Sequence, residues 1–255
     1  MNDETKQPKE YDLVLGGNNP PPINGLVLGG KTGILRILRS GDIYDWNDWR
    51  EENSDIEIDL KGADLSNTNL DEMDLSGINF SSANFKGASL SAANLKETNL
   101  SEANLEGVNF EFTDLQKANL TKANLTRAYL ANADLRNAIL VEANLSYANL
   151  SGTDFRKANL QSANFNHAEC IETQFIEANL TKAKFYETAF VSADLSRANL
   201  TKANFTDCNL SYSIFEGAKL KEINLDGVDI SYTILDEGCY YDEESGEHFY
   251  EGSME

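Results

Sequence analysis

Residues 116–150 read QKANL TKANL TRAYL ANADL RNAIL VEANL SYANL, seven five-residue units that each end on leucine. The same register runs far to both sides. Every fifth residue from Leu60 to Leu235 is Leu or Phe, Cys170 and Ile230 excepted, and the count of 36 such centres never slips. Two residues before the centre the side chain is mostly small, Ala at 21 of the 36 positions and Thr at 7. One residue before it stands Asn or Asp at 26. A fixed short period marks a repeat architecture and outranks local signals.

Period five excludes an amphipathic helix. At about 100° per residue a five-residue step turns roughly 140°, so the centres would wrap the whole helix surface. Extended geometry fits better. Side chains alternate along a strand, so a centre and the residue two before it face the same way, and the Asn/Asp between them faces out. The two residues after each centre must both face out, which alternation forbids unless the chain turns there. Each pentad is therefore one short strand and one corner. Repeated corners wind the chain into coils with Leu, Phe, Ala and Thr inside, stacked about 4.8 Å apart through backbone hydrogen bonds.

These residues resemble the pentapeptide-repeat family, whose pattern is A-(N/D)-(L/F)-x-x. Ala118-Asn119-Leu120, Ala123-Asn124-Leu125 and Ala143-Asn144-Leu145 match it. The resemblance implies an all-β solenoid: a right-handed quadrilateral β-helix with four pentads per coil, hence about nine coils over 56–235. Handedness and the four sides come from the resemblance, not from the period. At about 4.8 Å per coil the rod would be about 43 Å long.

The formal charge is −21. Residues 1–55 carry 6 basic and 10 acidic side chains, 56–235 carry 15 and 24, and 236–255 carry 0 and 8. That balance opposes direct binding to nucleic-acid phosphate. No apolar signal-peptide region opens the chain and no apolar run is long enough to span a membrane. Three cysteines do not suggest a disulfide framework. Cys170 and Cys208 occupy inward positions about two coils apart, too far to bridge. A reducing cytoplasm is the expected compartment.

Residues 1–31 read as a flexible leader. Leu13-Val14-Leu15-Gly16-Gly17 recurs as Leu26-Val27-Leu28-Gly29-Gly30 around a proline run. This duplication resembles a leader found on some cyanobacterial regulatory and repeat proteins. The second copy runs into Lys31-Thr32, a literal match to the phosphate-loop pattern. Such a loop must follow a buried strand in a βαβ sheet; here a proline run precedes it, and the match reads as coincidence. Residues 32–55 read as a helical N-terminal cap: a helix from Thr32 to Ser40, then one capped by Asp42 and running to Asn53. Ile43, Trp46 and Trp49 share one face of the second helix. The alternative, a partner-binding helix, would leave both tryptophans exposed. Residues 236–255 read as an acidic C-terminal cap and tail, with Cys239, Tyr240, Tyr241, Phe249 and Tyr250 available to cover the last coil.

An enzyme needs acids, bases or ligands converging in a pocket. A filled rod offers no obvious pocket, and its spacing shows no metal-ligand cluster. No catalytic residue, cofactor or metal is expected. With four pentads per coil, residues 20 apart share a face. The corners after Leu75, Leu95 and onward then hold Lys96, Lys117, Arg136, Arg156, Lys157 and Arg197, a basic stripe interrupted by Glu97 and Glu177. The corners after Leu70, Leu90 and onward hold no base. They hold Asp71, Glu72, Glu111 and Glu172 beside Phe112, Ile171, Val191, Tyr212 and Tyr232, and the same face breaks the Asn/Asp rule at Tyr129, Glu169 and Ala189. An exposed apolar row rimmed by acids marks a binding site. Phe112, Tyr129, Ile171, Glu172, Val191, Tyr212 and Tyr232 are the candidate partner-binding residues. The expected function is a protein–protein interaction scaffold, monomeric or weakly dimeric end to end. The alternative, implied by some members of the family, is a DNA-mimicking inhibitor or protector of type II topoisomerase. A third, a nucleotide-dependent switch using Lys31, would require the phosphate-loop match to be real.

Overall fold

The structure, a computed structural model, describes residues 30–235, 239–242 and 247–250. The leader before residue 30 lies outside them, as do 236–238, 243–246 and 251–255. Two helices come first, α1 (Gly30–Ser40) and α2 (Ile43–Glu52). The repeats follow, and after them a two-stranded antiparallel ribbon of β1 (Cys239–Asp242) and β2 (Glu247–Tyr250).

Within the repeats the Asn/Asp position of each pentad forms a parallel bridge to the residue 20 further on, from Asp59↔Asn79 to Ile214↔Ile234. Four pentads therefore close one turn. A centre amide donates to the coil above, as Leu120 does to the Ile139 carbonyl at 2.7 Å, and the amide before it, Asn119, donates to the Thr98 carbonyl below. The corner closes locally: the centre carbonyl accepts the amide three residues on, as in Ala123 to Leu120 at 3.0 Å. The Asn/Asp side chain serves both its own corner and the next coil. Asn119 Oδ1 accepts the Thr121 amide at 3.0 Å, and Asn164 Nδ2 donates to Asn144 Oδ1 at 3.0 Å.

The corner has a property that alternation alone does not give. Its second residue lies in left-handed φ in every pentad from Gly62 to Tyr232, seven of them glycine and 28 not. That conformation is costly for side chains branched at Cβ. None of these 35 residues is Val, Ile or Thr, whereas the corner's first residue is Val or Ile at Val141, Ile171, Ile176 and Val191.

Centres and the residues two before them are buried through the middle of the rod. In its later coils the core turns aromatic, with Phe165 on Phe185 at 5.0 Å and Phe185 on Phe205 at 4.7 Å between ring centroids. Spacing near the coil rise lets equivalent rings stack. Inward hydroxyls find carbonyls 23 residues back: Thr113 on Leu90, Thr153 on Leu130, Thr173 on Leu150. Cys170 and Cys208 are buried free thiols. Burial pushes both up, Cys208 to about 12, which makes them poor nucleophiles.

The first coil has no coil beneath it, and the helices answer its unpaired backbone group by group. Trp46 Nε1 donates to the Asp74 carbonyl at 2.8 Å, and Arg39 Nη2 to that of Asp64 at 2.6 Å. Asn47 gives its side-chain amide to the Glu72 carbonyl and takes the Asp74 amide. Trp46 and Trp49 are buried, so α2 does not display them to solvent. α1 begins at Gly30, two residues before the expected Thr32. Asp42 caps α2 by accepting the Asp45 amide.

Candidate partner-binding face

Four pentads per turn give the rod four faces, here called by their first centres Leu60, Leu65, Leu70 and Leu75. On the Leu70 face the Asn/Asp ladder is broken by Ser89, Tyr129, Glu169 and Ala189, all in the bridge column. Phe112, Tyr129, Ile171, Tyr212 and Tyr232 are exposed, Phe112 by 64% and Tyr232 by 75%. Glu172 is exposed and Val191 is only half-buried, so Val191 offers less surface than its corner position suggested. Tyr212 and Tyr232 stack on each other, 4.9 Å between centroids and 10° between planes.

Phe112, Glu172, Tyr212 and Tyr232 all occupy left-handed corners. A large ring there carries two costs, conformational strain and exposed apolar area. Neither helps the rod fold, since Gly or Asn suits the corner better.

The sequence reading missed a second aromatic group one corner away. Arg127, Tyr147, His167 and Glu187 are 20 residues apart on the Leu65 corners. The Arg127 guanidinium lies 5.4 Å from the Tyr147 ring centre. Tyr147 stacks on His167 at 4.6 Å and 15°, and His167 Nδ1 lies 3.2 Å from Glu187. Tyr186 meets the His167 ring edge-on, and its hydroxyl's bond to Glu187 raises its pKa. Tyr147 stands two residues before Asn149, the bridge partner of Tyr129, so this ladder borders the Leu70 face. The same 20-residue counting, applied to the Leu65 corners, would have found it.

The basic stripe needs correction. Counting corners alone omitted the Asp column on the same face. Lys96 pairs with Asp114 at 2.8 Å, Arg136 with Asp134 and Arg156 with Asp154 at 2.6 Å, and Lys117 with Glu97 at 2.7 Å. Lys157 and Arg197 both approach Glu177. Six bases there meet eight acids (Asp74, Glu97, Asp114, Asp134, Asp154, Glu177, Asp194 and Glu216), so the face is net negative and internally paired. The face with surplus positive charge is that of Leu60, where Lys61, Lys122, Lys182, Lys202, Lys219 and Lys221 outnumber Asp59, Glu102, Glu142 and Glu222. The Leu70 face, on the opposite side, has six carboxylates (Asp71, Glu72, Glu111, Glu169, Glu172 and Asp229) and no base.

Gly25 to Gly29 of the phosphate-loop match lie outside the described residues, and only Gly30, Lys31 and Thr32 of its signature can be placed. Lys31 belongs to α1, and its amine donates to the Lys61 carbonyl of the first coil. Among the described residues no group of three His, Cys, Asp or Glu side chains is placed to hold a metal, and no helix is long and apolar enough to cross a membrane.

Family comparisons agree with this geometry. The family described as "Pentapeptide repeats" matches residues 58–96, 83–121 and 123–161, and "Pentapeptide repeat region" matches 158–235. No curated protein matches the sequence. Among solved structures, a trypsin-treated form of QnrB1, a plasmid-mediated fluoroquinolone resistance protein, is similar with TM-score 0.57 and 20% identity over 71% of this chain and 92% of its own. HetL, a pentapeptide repeat protein involved in heterocyst differentiation regulation from the cyanobacterium Nostoc sp. strain PCC 7120, is 26% identical over 77% of this chain and 95% of its own, with TM-score 0.44. The pentapeptide repeat protein Rfr23 from the cyanobacterium Cyanothece 51142 is 33% identical over 46% of this chain and 64% of its own, with TM-score 0.20.

Proposed function

This chain belongs to the pentapeptide-repeat family, and on that premise we propose that it is a non-enzymatic scaffold whose Leu70 face binds a protein partner. In this reading the rod is a right-handed β-helix of nine coils, α1 and α2 are its N-terminal cap, and it works in a reducing cytoplasm. The observation that carries the reading is the Leu70 face itself: exposed Phe112, Tyr129, Ile171, Tyr212 and Tyr232 in one row with no base. Aromatic anchors supply binding energy in such a surface. The six carboxylates select a basic partner face and speed its encounter.

A DNA-mimicking antagonist of type II topoisomerase is the second reading, favoured by that same acidic face. Magnitude weighs against it. Duplex DNA carries one charge per about 1.7 Å, roughly 25 over a rod about 43 Å long, and this face carries six. Inhibition or protection of gyrase in a supercoiling assay would reverse that order.

The test compares Tyr129→Ala with Ile171→Ser against Lys117→Ser with Arg156→Ser. Each double variant and the native chain capture partners from the source extract, and the partner identified by mass spectrometry is then titrated against all three. The apolar pair should weaken binding about 30-fold, the effect of losing a contact of about 2 kcal/mol, with Tm nearly unchanged. Loss of binding in the charged pair alone would move the contact to the Leu75 face and overturn the assignment.

A further inference from the structure

Opposite faces of the rod carry unpaired charge of opposite sign. None of the six carboxylates of the Leu70 face forms an ion pair among the described residues, and that face has no base. On the Leu60 face Lys61, Lys182 and Lys219 likewise form none, and Lys122 pairs only loosely with Glu142, at 3.8 Å. Lys182 has no carboxylate to pair with in its own column, where its neighbours 20 residues away are Ser162 and Lys202. The Leu75 face is different, because its bases are matched to acids of the same chain.

The winding decides how two such faces can meet. Strands on opposite sides of a four-sided coil run in opposite directions. The corners after the Leu60 centres and those after the Leu70 centres therefore lie along opposite edges of their faces. A copy moved sideways without rotation would leave the Lys122 column one edge away from the Glu172 column. A copy turned end for end about the face normal brings the two columns to the same edge. Every coil is 20 residues, so alignment on the middle of the repeats sets Lys122 level with Glu172, Lys182 with Phe112 and Glu111, and Lys221 with Asp71 and Glu72. The like-charge contacts fall at the two ends, Glu222 near Glu72 and Asp59 near Asp229, each beside a lysine, Lys221 and Lys61. Sliding by one coil in either direction sets Glu102 or Glu142 against Glu172 instead, so one register is favoured.

We propose that the partner of the Leu70 face is a second copy of this chain, docked side by side through its Leu60 face in that antiparallel register. The inference rests on the Leu70 face being the binding face. The contact joins two different surfaces, so it is heterologous and does not close: each copy offers both faces, and rods add in an open row. Exposed charge pairs contribute little each, which makes the association weak, with a Kd on the order of 10–100 μM, as in small transient interfaces. The chain's charge of −21 opposes it. At about 0.15 M salt the Debye length is about 8 Å, so that repulsion is screened beyond the facing side chains while the contact pairs persist.

The test is a charge swap in the full chain, read by sedimentation velocity over a concentration range centred on that Kd. One variant carries Glu111→Lys with Glu172→Lys, the other Lys122→Glu with Lys182→Glu. Both residue types already stand at such corners, Lys86 and Glu106 at the first position and Lys117 and Glu142 at the second, so the variants should keep the native Tm. The native chain should gain mass with concentration beyond a dimer. Each variant alone should be monomeric, and their equimolar mixture should associate again, because each then meets the opposite charge. A zero-length carbodiimide cross-link between Lys122 and Glu172, which lie on opposite faces of one chain, should appear in the native protein and in neither variant. A native chain that stays monomeric would overturn the inference; if it still captured a foreign protein through Tyr129 and Ile171, the proposed function would stand without it. Self-association that survives in both variants would also overturn it, as would a mixture that stays monomeric.

Discussion

Valine at position 162 tests what shapes the corners. Ser162 is the second residue of its corner, with φ 58° and its amide bonded to the Thr181 carbonyl at 2.9 Å. An L-residue in this region already carries about 1–2 kcal/mol of strain. A branched Cβ cannot turn both Cγ atoms away from the flanking carbonyls, so Ser162→Val should cost a further ~1–2 kcal/mol. Ser162→Gly removes the strain and raises the entropy of the unfolded chain by a similar amount, leaving stability within about 0.5 kcal/mol. Gln161→Val, one residue earlier, should also stay within about 0.5 kcal/mol. Urea unfolding at constant m reads all three as shifts of the midpoint. If the two valines cost the same, left-handed φ is not what keeps Val, Ile and Thr from the second corner position.

Further outcomes follow from the core and from acid. Leu135 is fully buried, so Leu135→Lys should unfold adjoining coils or the whole rod; Ala133→Leu should cost about 1–3 kcal/mol by overpacking. Ala133→Thr should cost less, because its hydroxyl would meet the Phe110 carbonyl as Thr113 and Thr153 meet theirs in the same column; chemical denaturation that ranks Thr below Leu would contradict the inward hydroxyl register. For Asp134, burial pushes the carboxyl up, but hydrogen bonds from Arg136 and the charges of Arg136 and Arg156 outweigh it and hold the pKa below its usual value. A depressed folded pKa adds stability that is present above about pH 4 and is lost as pH falls through the folded value. Asp134→Asn should therefore shallow the stability loss below about pH 4, and an unchanged acid limb would refute the pairing.

The coil was legible because its contacts are made at fixed sequence separations. Leu135 and Ala133 point inward for the same reason as every equivalent pair, so one period decides them all. Alternation demands a turn but not a left-handed one, although a trace of that handedness stands in the absence of Val, Ile and Thr at positions such as 122, 142 and 162. Charge misleads where only part of a face is counted: Arg136 and Arg156 look basic until Asp134 and Asp154, two residues before each, are included. The Tyr147–His167 stack depends on two rings adopting parallel planes, which spacing permits but does not dictate. The reading of 236–255 as an acidic cap and tail rests on composition alone, since the repeat rule falls silent after Leu235.

The bridge from each residue to the one 20 positions on makes the sequence behave like a dial with four settings. Inserting or deleting 20 residues lengthens or shortens the rod and returns the dial to the same mark. Removing a single pentad, such as residues 151–155, preserves the inward pattern of every unit yet turns all that follows by a quarter revolution. Phe112 and Tyr129 would then look one way and Ile171, Tyr212 and Tyr232 another. The rod thus tolerates pentad loss as a folded object and not as a continuous binding row. A genetic slip of 15 nucleotides would leave a sound protein whose message is scrambled, whereas one of 60 would keep the message in phase.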